Sequence, residues 1–330
     1  MKRPARIEVV TLGECLASLV ATTSGPLAEA TFFERHIAGA EANVAVGLAR
    51  LGHSVAYIGL VGADGFGTAI LRRLRGEGVD VDHLTVDPDA PTGVMFRERR
   101  ALGAAAVVYH RAGSAGSRLS TTDVERAAGD GLFDGARWLH LTGITPALSP
   151  TASAAAIRAR DMARNAGLQV SLDVNLRRRL WSDVEAAPVL RELATGVDVV
   201  LGSPDELAVI VEADPATDPT DLISEVATIG PSTVVAKLAA NGALGLEAGG
   251  SAVYVTGLPV AHVVDPVGAG DAFCAGFIAG RLDGVDLETA LRMGNACGAL
   301  AVAAAGDQAG LPDRAELARL LAGEGADTIR

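Results

Sequence analysis

The sequence predicts an α/β fold, and three observations carry that prediction. Short apolar, β-prone runs alternate with amphipathic helical stretches along most of the chain, joined by glycine turns. Polar residues stand just after several of these runs, at the strand ends where an open α/β sheet places its ligands. Residues 80–109 break the alternation with short β-prone pieces and no long helix, which predicts a small β projection or lid.

Residues 7–12 read as the first buried strand, and 15–21 and 31–36 as short edge strands. Ala38-Gly39-Ala40-Glu41-Ala42-Asn43 enters a helix over 43–51 that stops at Gly52. A strand over 54–59 leads through a glycine-rich turn to a helix over 68–76, and strands over 92–98 and 105–109, separated by 99–103, form the projection. The alternation then resumes with a strand at 138–141, a helix at 151–166, a strand at 168–173, a helix at 186–194, a strand at 197–201 and a helix at 204–211. Strands at 234–237, 243–246 and 253–255 precede helices at 271–280, 287–304 and 314–321. Without an internal repeat or a low-complexity linker, residues 1–330 read as one domain, its lid formed by approximately 15–36 and 90–110.

With 49% hydrophobic and 21% charged residues among 330, the chain can bury a large core. The 28 basic against 40 acidic residues give a formal charge of −12, which argues against general affinity for nucleic acid or anionic membranes. Cys15, Cys274 and Cys297 lie far apart in apolar surroundings and lack zinc-site spacing, so they read as reduced packing residues. The start Met1-Lys2-Arg3-Pro4 is not followed by a signal-like apolar region, and no apolar run reaches 18 residues. A cytoplasmic location is expected.

The stretch Val264-Asp265-Pro266-Val267-Gly268-Ala269-Gly270-Asp271-Ala272-Phe273 joins a strand-like segment to a helix beginning near Gly270. Its glycines and free backbone N–H groups gather where a helix N-terminus attracts anions, and the ending of a Walker A loop is absent. A carboxylate there opposes a bound phosphate unless it takes a proton from an incoming hydroxyl. Asp271 therefore reads either as the general base of phosphoryl transfer or as the cap of a tight connection. Arg111, in Arg111-Ala112-Gly113-Ser114-Ala115, binds an anion or decorates a solvated turn; Arg177 is a ligand or one surface cation of Arg177-Arg178-Arg179.

In their order along the chain, Gly39 with Asn43, the block 59–67, the segment 237–242 and Asp265 to Asp271 resemble the ribokinase-like, or PfkB, carbohydrate kinases. The resemblance implies a three-layer α/β/α core with a small β-rich lid, ATP with Mg²⁺, and a homo-oligomer, with a dimer favoured. Within the family, Gly13-Glu14, the block 38–45, Tyr109-His110-Arg111-Ala112-Gly113-Ser114-Ala115, and Asp173-Val174-Asn175-Leu176-Arg177 with Leu180-Trp181 look most like the 2-keto-3-deoxygluconate kinases. That implies phosphorylation of a small sugar acid at its terminal hydroxyl. A fructokinase or another sugar kinase is the alternative, and a non-catalytic sugar- or nucleoside-binding regulator stands further off.

By the same resemblance Gly268, Ala269, Gly270 and Asp271 form the catalytic turn. Gly39, Asn43, Met95, Tyr109, Arg111, Asn175 and Arg177 line the sugar site, and the arginines suit a planar carboxylate. Ser203, Lys237, Gly242 and Asn295 fall on the nucleotide side, although Lys237 reads equally well as an ordinary strand-end charge. Glu206 is expected to meet Mg²⁺ through water, and Asp265, Val267, Ala301 and Gly306 border loops where K⁺ is a further candidate. Three positions depart from the pattern: Met95 replaces a common lid tyrosine, Ser203 a common asparagine and Pro266 a common threonine.

Overall fold

Nine strands form one continuous sheet through the molecule, and a second sheet of four strands stands beside it. The computed structural model describes residues 6–99 and 106–323. The start at Met1 to Pro4, most of the expected turn 99–103 and the beginning of the strand expected at 105–109 lie outside the described residues.

The main sheet contains β1 (Val9–Leu12), β4 (Val55–Gly62), β5 (Leu84–Asp87), β8 (Trp138–Thr142), β9 (Gln169–Asp173), β10 (Val199–Gly202), β11 (Thr233–Lys237), β12 (Gly242–Glu247) and β13 (Val253–Thr256). Its order is β13-β12-β11-β10-β9-β8-β1-β4-β5. The seven strands from β11 to β5 are parallel, while at the other edge β12 is reversed, pairing antiparallel with both β11 and β13. The second sheet, ordered β3-β2-β6-β7, is built from β2 (Leu16–Ser24), β3 (Phe33–Ala38), β6 (Val94–Arg99) and β7 (Val107–His110). Its central β2–β6 pair is parallel, and its outer pairs are antiparallel.

The helices are α1 (Ala40–Arg50), α2 (Gly65–Gly76), α3 (Thr121–Gly129), α4 (Pro150–Asn165), α5 (Asp183–Thr195), α6 (Pro204–Val211), α7 (Pro219–Ala227), α8 (Ala269–Asp283), α9 (Leu287–Ala301) and α10 (Arg314–Leu321). The pleat of the sheet separates two cores. Val9, Val55 and Tyr57 face a cluster with α1, α2, α8, α9 and α10, whereas Val10, Ala56 and Ile58 face one with α3 to α7. This is the three-layer α/β/α architecture, with the smaller sheet as its lid. Cys15, Cys274 and Cys297 are buried free thiols within it.

Three elements escaped the sequence reading. Residues 80–109 do not all belong to the projection, because Leu84–Asp87 pairs with β4 and ends the main sheet. Helices α3 and α7 are each nine residues long, too short for a strong periodic signal. The helix expected to reach residue 304 ends at Ala301, where the chain turns so that the Val302 carbonyl accepts from the Val264 and Asp265 amides.

Candidate active site

The parallel strands bring their polar carboxyl ends together opposite the start of α8. Asp173 closes β9 and Lys237 closes β11; the Lys237 ammonium donates to Asp173 Oδ1 at 2.6 Å. Lys237 is thus a fixed partner of a buried carboxylate, and although burial alone would lower its pKa, Asp173 raises it. Cys274 of α8 donates its thiol to Asp173 Oδ2 at 3.4 Å.

Gly268 caps α8 with φ 82°, and a Cβ there would lie 2.7 Å from the Asp307 carbonyl, so only glycine fits this turn. Asp271 consequently stands in the first turn of the helix, and its side chain does not cap it. Asn43 Nδ2 donates to Asp271 Oδ2 at 2.7 Å, and Asn175 Nδ2 donates to Asp271 Oδ1 at 3.2 Å. Burial pushes the Asp271 carboxyl above the ordinary aspartate value; the Asn43 amide, Arg177 and Lys237 oppose that shift, and Asp173 adds to it. A carboxylate held by two amides, with its pKa moved toward neutrality, is equipped to accept a proton.

Asn175 occupies the left-handed region at φ 40°, which asparagine tolerates. Its amide also donates to Asp173 Oδ2 at 3.2 Å, so two carboxylates fix the amide's orientation. Its buried Oδ1 has no partner among the described residues, leaving an acceptor for a ligand hydroxyl or water.

A cleft of about 360 Å³ lies between Val107, Tyr109 and Arg111 of the lid and residues Leu176 to Leu180, a size suited to a small ligand. Arg179 donates to the Val107 carbonyl across it. The three consecutive arginines divide their tasks: Arg178 pairs with Asp183 and Asp205, whereas Arg177 has no ion pair among the described residues. Arg111 is already engaged, since Nε and Nη2 lie 2.7 and 2.5 Å from Oε2 of the buried Glu14. Ser114 donates to the other Glu14 oxygen, and the Arg111 guanidinium lies 5.6 Å from the Tyr109 ring centroid. Met95 packs with Leu16, Ala38, Val107 and Tyr109 beneath this surface. A second cavity of about 400 Å³ opens at the amino ends of β8 to β11, away from the convergent polar groups.

The other expected residues have structural partners of their own. Glu206 accepts from the Leu176 and Ser203 amides, both by 2.9 Å or less, and Ser203 Oγ donates to Asp205. Asn295 donates to the Val255 and Thr256 carbonyls. Gly242, with φ 105°, lets the chain pass the Val255 carbonyl, where a Cβ would stand 2.0 Å away. Gly39 caps α1, placing Asn43 in its first turn. Val267 is exposed, Ala301 is buried, and Gly306 lies against His36.

Glu41, Arg97, Asp307 and Glu14 are buried charges around the cleft to which the sequence reading gives no role. Glu41 accepts from Thr142 and Thr145, each at 2.6 Å, and burial raises its pKa. Arg97 of β6 reaches Asp265 and Asp307, and Glu14 holds Arg111.

The pfkB family carbohydrate kinase pattern matches residues 6–314. The chain belongs to the pfkB family of carbohydrate kinases. A 2-dehydro-3-deoxygluconokinase from Thermoproteus tenax is 40% identical over 97% of this chain and 96% of its own length. A 2-dehydro-3-deoxygalactonokinase from Haloferax volcanii is 34% identical over 98% and 99%. Among solved structures, an E. coli protein classed provisionally as a ribokinase II, in complex with ATP and Mg²⁺, superposes with a TM-score of 0.86 at 27% identity, covering 96% of this chain and 99% of that one. A Vibrio cholerae fructokinase holding fructose, ADP and a potassium ion superposes at 0.81 with 29% identity, covering 97% and 100%. The pfkB chain described here is an ATP-dependent phosphotransferase acting on a small sugar or sugar acid. Among the described residues, no helix is long and apolar enough to cross a membrane.

Proposed function

We propose that the enzyme phosphorylates the terminal hydroxyl of 2-keto-3-deoxygluconate, giving 2-keto-3-deoxy-6-phosphogluconate and ADP. The observation that carries this reading is Arg177, which has no ion pair among the described residues, lies in the same cleft as Tyr109 and Arg111 and is close enough to Asp271 to bias its charge. A free guanidinium at a small polar cleft offers paired N–H donors to a carboxylate. Arg111, bound to Glu14 through Nε and Nη2, keeps Nη1 for the sugar acid while its plane is held by Tyr109.

Asp271 takes the proton of the terminal hydroxyl as that oxygen attacks the γ-phosphorus, and Asn43 and Asn175 hold the carboxylate toward it. The Gly268, Gly270 and Asp271 amides would meet the phosphoryl oxygens and stabilise their developing charge, while the Ala269 amide donates to the Pro266 carbonyl. ATP supplies the phosphoryl group, and Mg²⁺ neutralises its charge. Glu206 fits a metal-bound water because each of its oxygens spends one lone pair on a backbone amide and retains another. Lys237 stays with Asp173 and offsets the negative charge behind Asp271.

A coupled ADP assay should compare 2-keto-3-deoxygluconate, its galactonate epimer, fructose and ribose. The acid sugar is expected to lead, and Arg177→Ala should reduce its kcat/KM by roughly 10- to 150-fold, the scale of one charge-assisted bond. Preference for a neutral sugar, with Arg177→Ala and Arg111→Ala unchanged, would reject carboxylate recognition while leaving the kinase intact. Equal use of the two epimers would place the error in stereochemical choice alone.

A further inference from the structure

We propose that this kinase carries its monovalent cation as a side chain. The Arg97 guanidinium, reaching from lid strand β6, takes the place expected for K⁺ beside the anion-binding turn and makes ATP binding independent of alkali metal ions. The inference rests on the anion-binding role of Gly268 to Asp271 and is indifferent to which sugar is phosphorylated.

The one carboxylate at the expected cation region is already engaged on both oxygens. Arg97 Nη2 lies 2.9 Å from Asp265 Oδ1 and 2.8 Å from Oδ2. The Val267 amide donates to Oδ1 at 3.1 Å and the Gly306 amide to Oδ2 at 3.4 Å. A carboxylate has about four lone-pair sites, so these four contacts leave none for an alkali ion. The neighbouring Val302 carbonyl is also committed to the Val264 and Asp265 amides. Arg97 Nη1 donates to Asp307 Oδ1 at 3.0 Å, so one cation bridges both loops.

Charge leads to the same assignment. Asp265 and Asp307 stand close together, both bonded to the one Arg97 guanidinium. Such a cluster requires a positive charge, and the buried guanidinium supplies it in a fixed planar fork. A second cation beside it would meet repulsion and find the Asp265 carboxylate already engaged on both oxygens. Because Asp265 also receives the Val267 amide, Arg97 braces the turn that leads into Gly268 and α8. The brace comes from the strand that carries Met95, so it joins the lid to the nucleotide side of the cleft.

ATP affinity of the intact enzyme should be measured by calorimetry in KCl, NaCl and choline chloride at one ionic strength, without sugar, together with melting temperature in each salt. The wild type is expected to give ATP affinities within about twofold and equal melting temperatures in all three, because a guanidinium–carboxylate bridge needs no ion. Arg97→Ala should bind ATP about tenfold or more weakly in choline and regain at least about threefold in K⁺, since the freed lone pairs can then accept an ion. Several-fold tighter ATP binding by the wild type in K⁺ than in choline, or a K⁺-specific rise in its melting temperature, would overturn the proposal and leave the kinase reading standing. Wild-type ATP affinity of Arg97→Ala in choline would overturn it equally. If that variant does not fold, the wild-type salt comparison decides by itself.

Discussion

Asp271 works through what surrounds it. Two amides orient its oxygens, while burial raises its readiness to hold a proton. Asp271→Asn keeps the shape and removes the acceptor, so sugar-dependent turnover should fall by at least about 10²-fold with ATP affinity and circular dichroism near wild type. Near-normal turnover would exclude the carboxylate as base. The motif leaves Asp271 as a cap or a base; the structure puts Gly268 at the cap position, and the partners Asn43 and Asn175 that orient the carboxylate lie too far away in sequence to be read locally. The arginines show the same limit. Nothing local in Arg177-Arg178-Arg179 tells which is unpaired, because the partners Asp183 and Asp205 and the Val107 carbonyl meet them only through tertiary structure.

At the scale of elements, α8 is the piece on which the cleft depends. It is buried on nearly every side, packed between the sheet, α1 and α9, and its entry is set by one left-handed glycine. Gly268→Ala should cost on the order of 1–3 kcal/mol through backbone strain, and it should weaken ATP binding because the amides of the first turn are displaced. Urea unfolding and calorimetry would check both; lost stability with unchanged ATP affinity would separate this turn from the nucleotide. The long apolar strands and helices were legible because their burial repeats along the chain. Strand β5 was hidden by its four-residue length and by its position beside the lid segment. Helix α7 had a readable start in Asp218 followed by Pro219, with Asp218 accepting from the Thr220 amide, but its polar surroundings masked the apolar stripe of Leu222, Ile223 and Val226.

For the whole molecule, pH enters through the core as well as the cleft. His140, fully buried on β8, is held neutral: burial lowers its pKa to about 4 from the ordinary 6.5, with Asp173 opposing and Lys237 assisting. Its contribution to stability is complete above pH 6.5 and is lost as pH falls toward 4, where only the unfolded chain takes up the proton first. Between pH 7.5 and 5 the wild type should lose ~2 kcal/mol that His140→Gln does not. Denaturant melts at both pH values would test this, and parallel losses in the two proteins would refute it. The three-layer plan was legible because it follows from repeated strand and helix patterns. The buried charges of the lid were not, since each faces a partner far away in sequence. The lid is moreover not a contiguous piece of chain. β2 and β3 precede the main-sheet unit β4–α2–β5, while β6 and β7 follow it, and the parallel β2–β6 ladder is the sheet pairing that joins the two halves. No single cut releases this sheet and no single graft transplants it. During folding, its central ladder must wait until the intervening unit has brought distant strands together, so the cleft acquires its roof only after its floor exists.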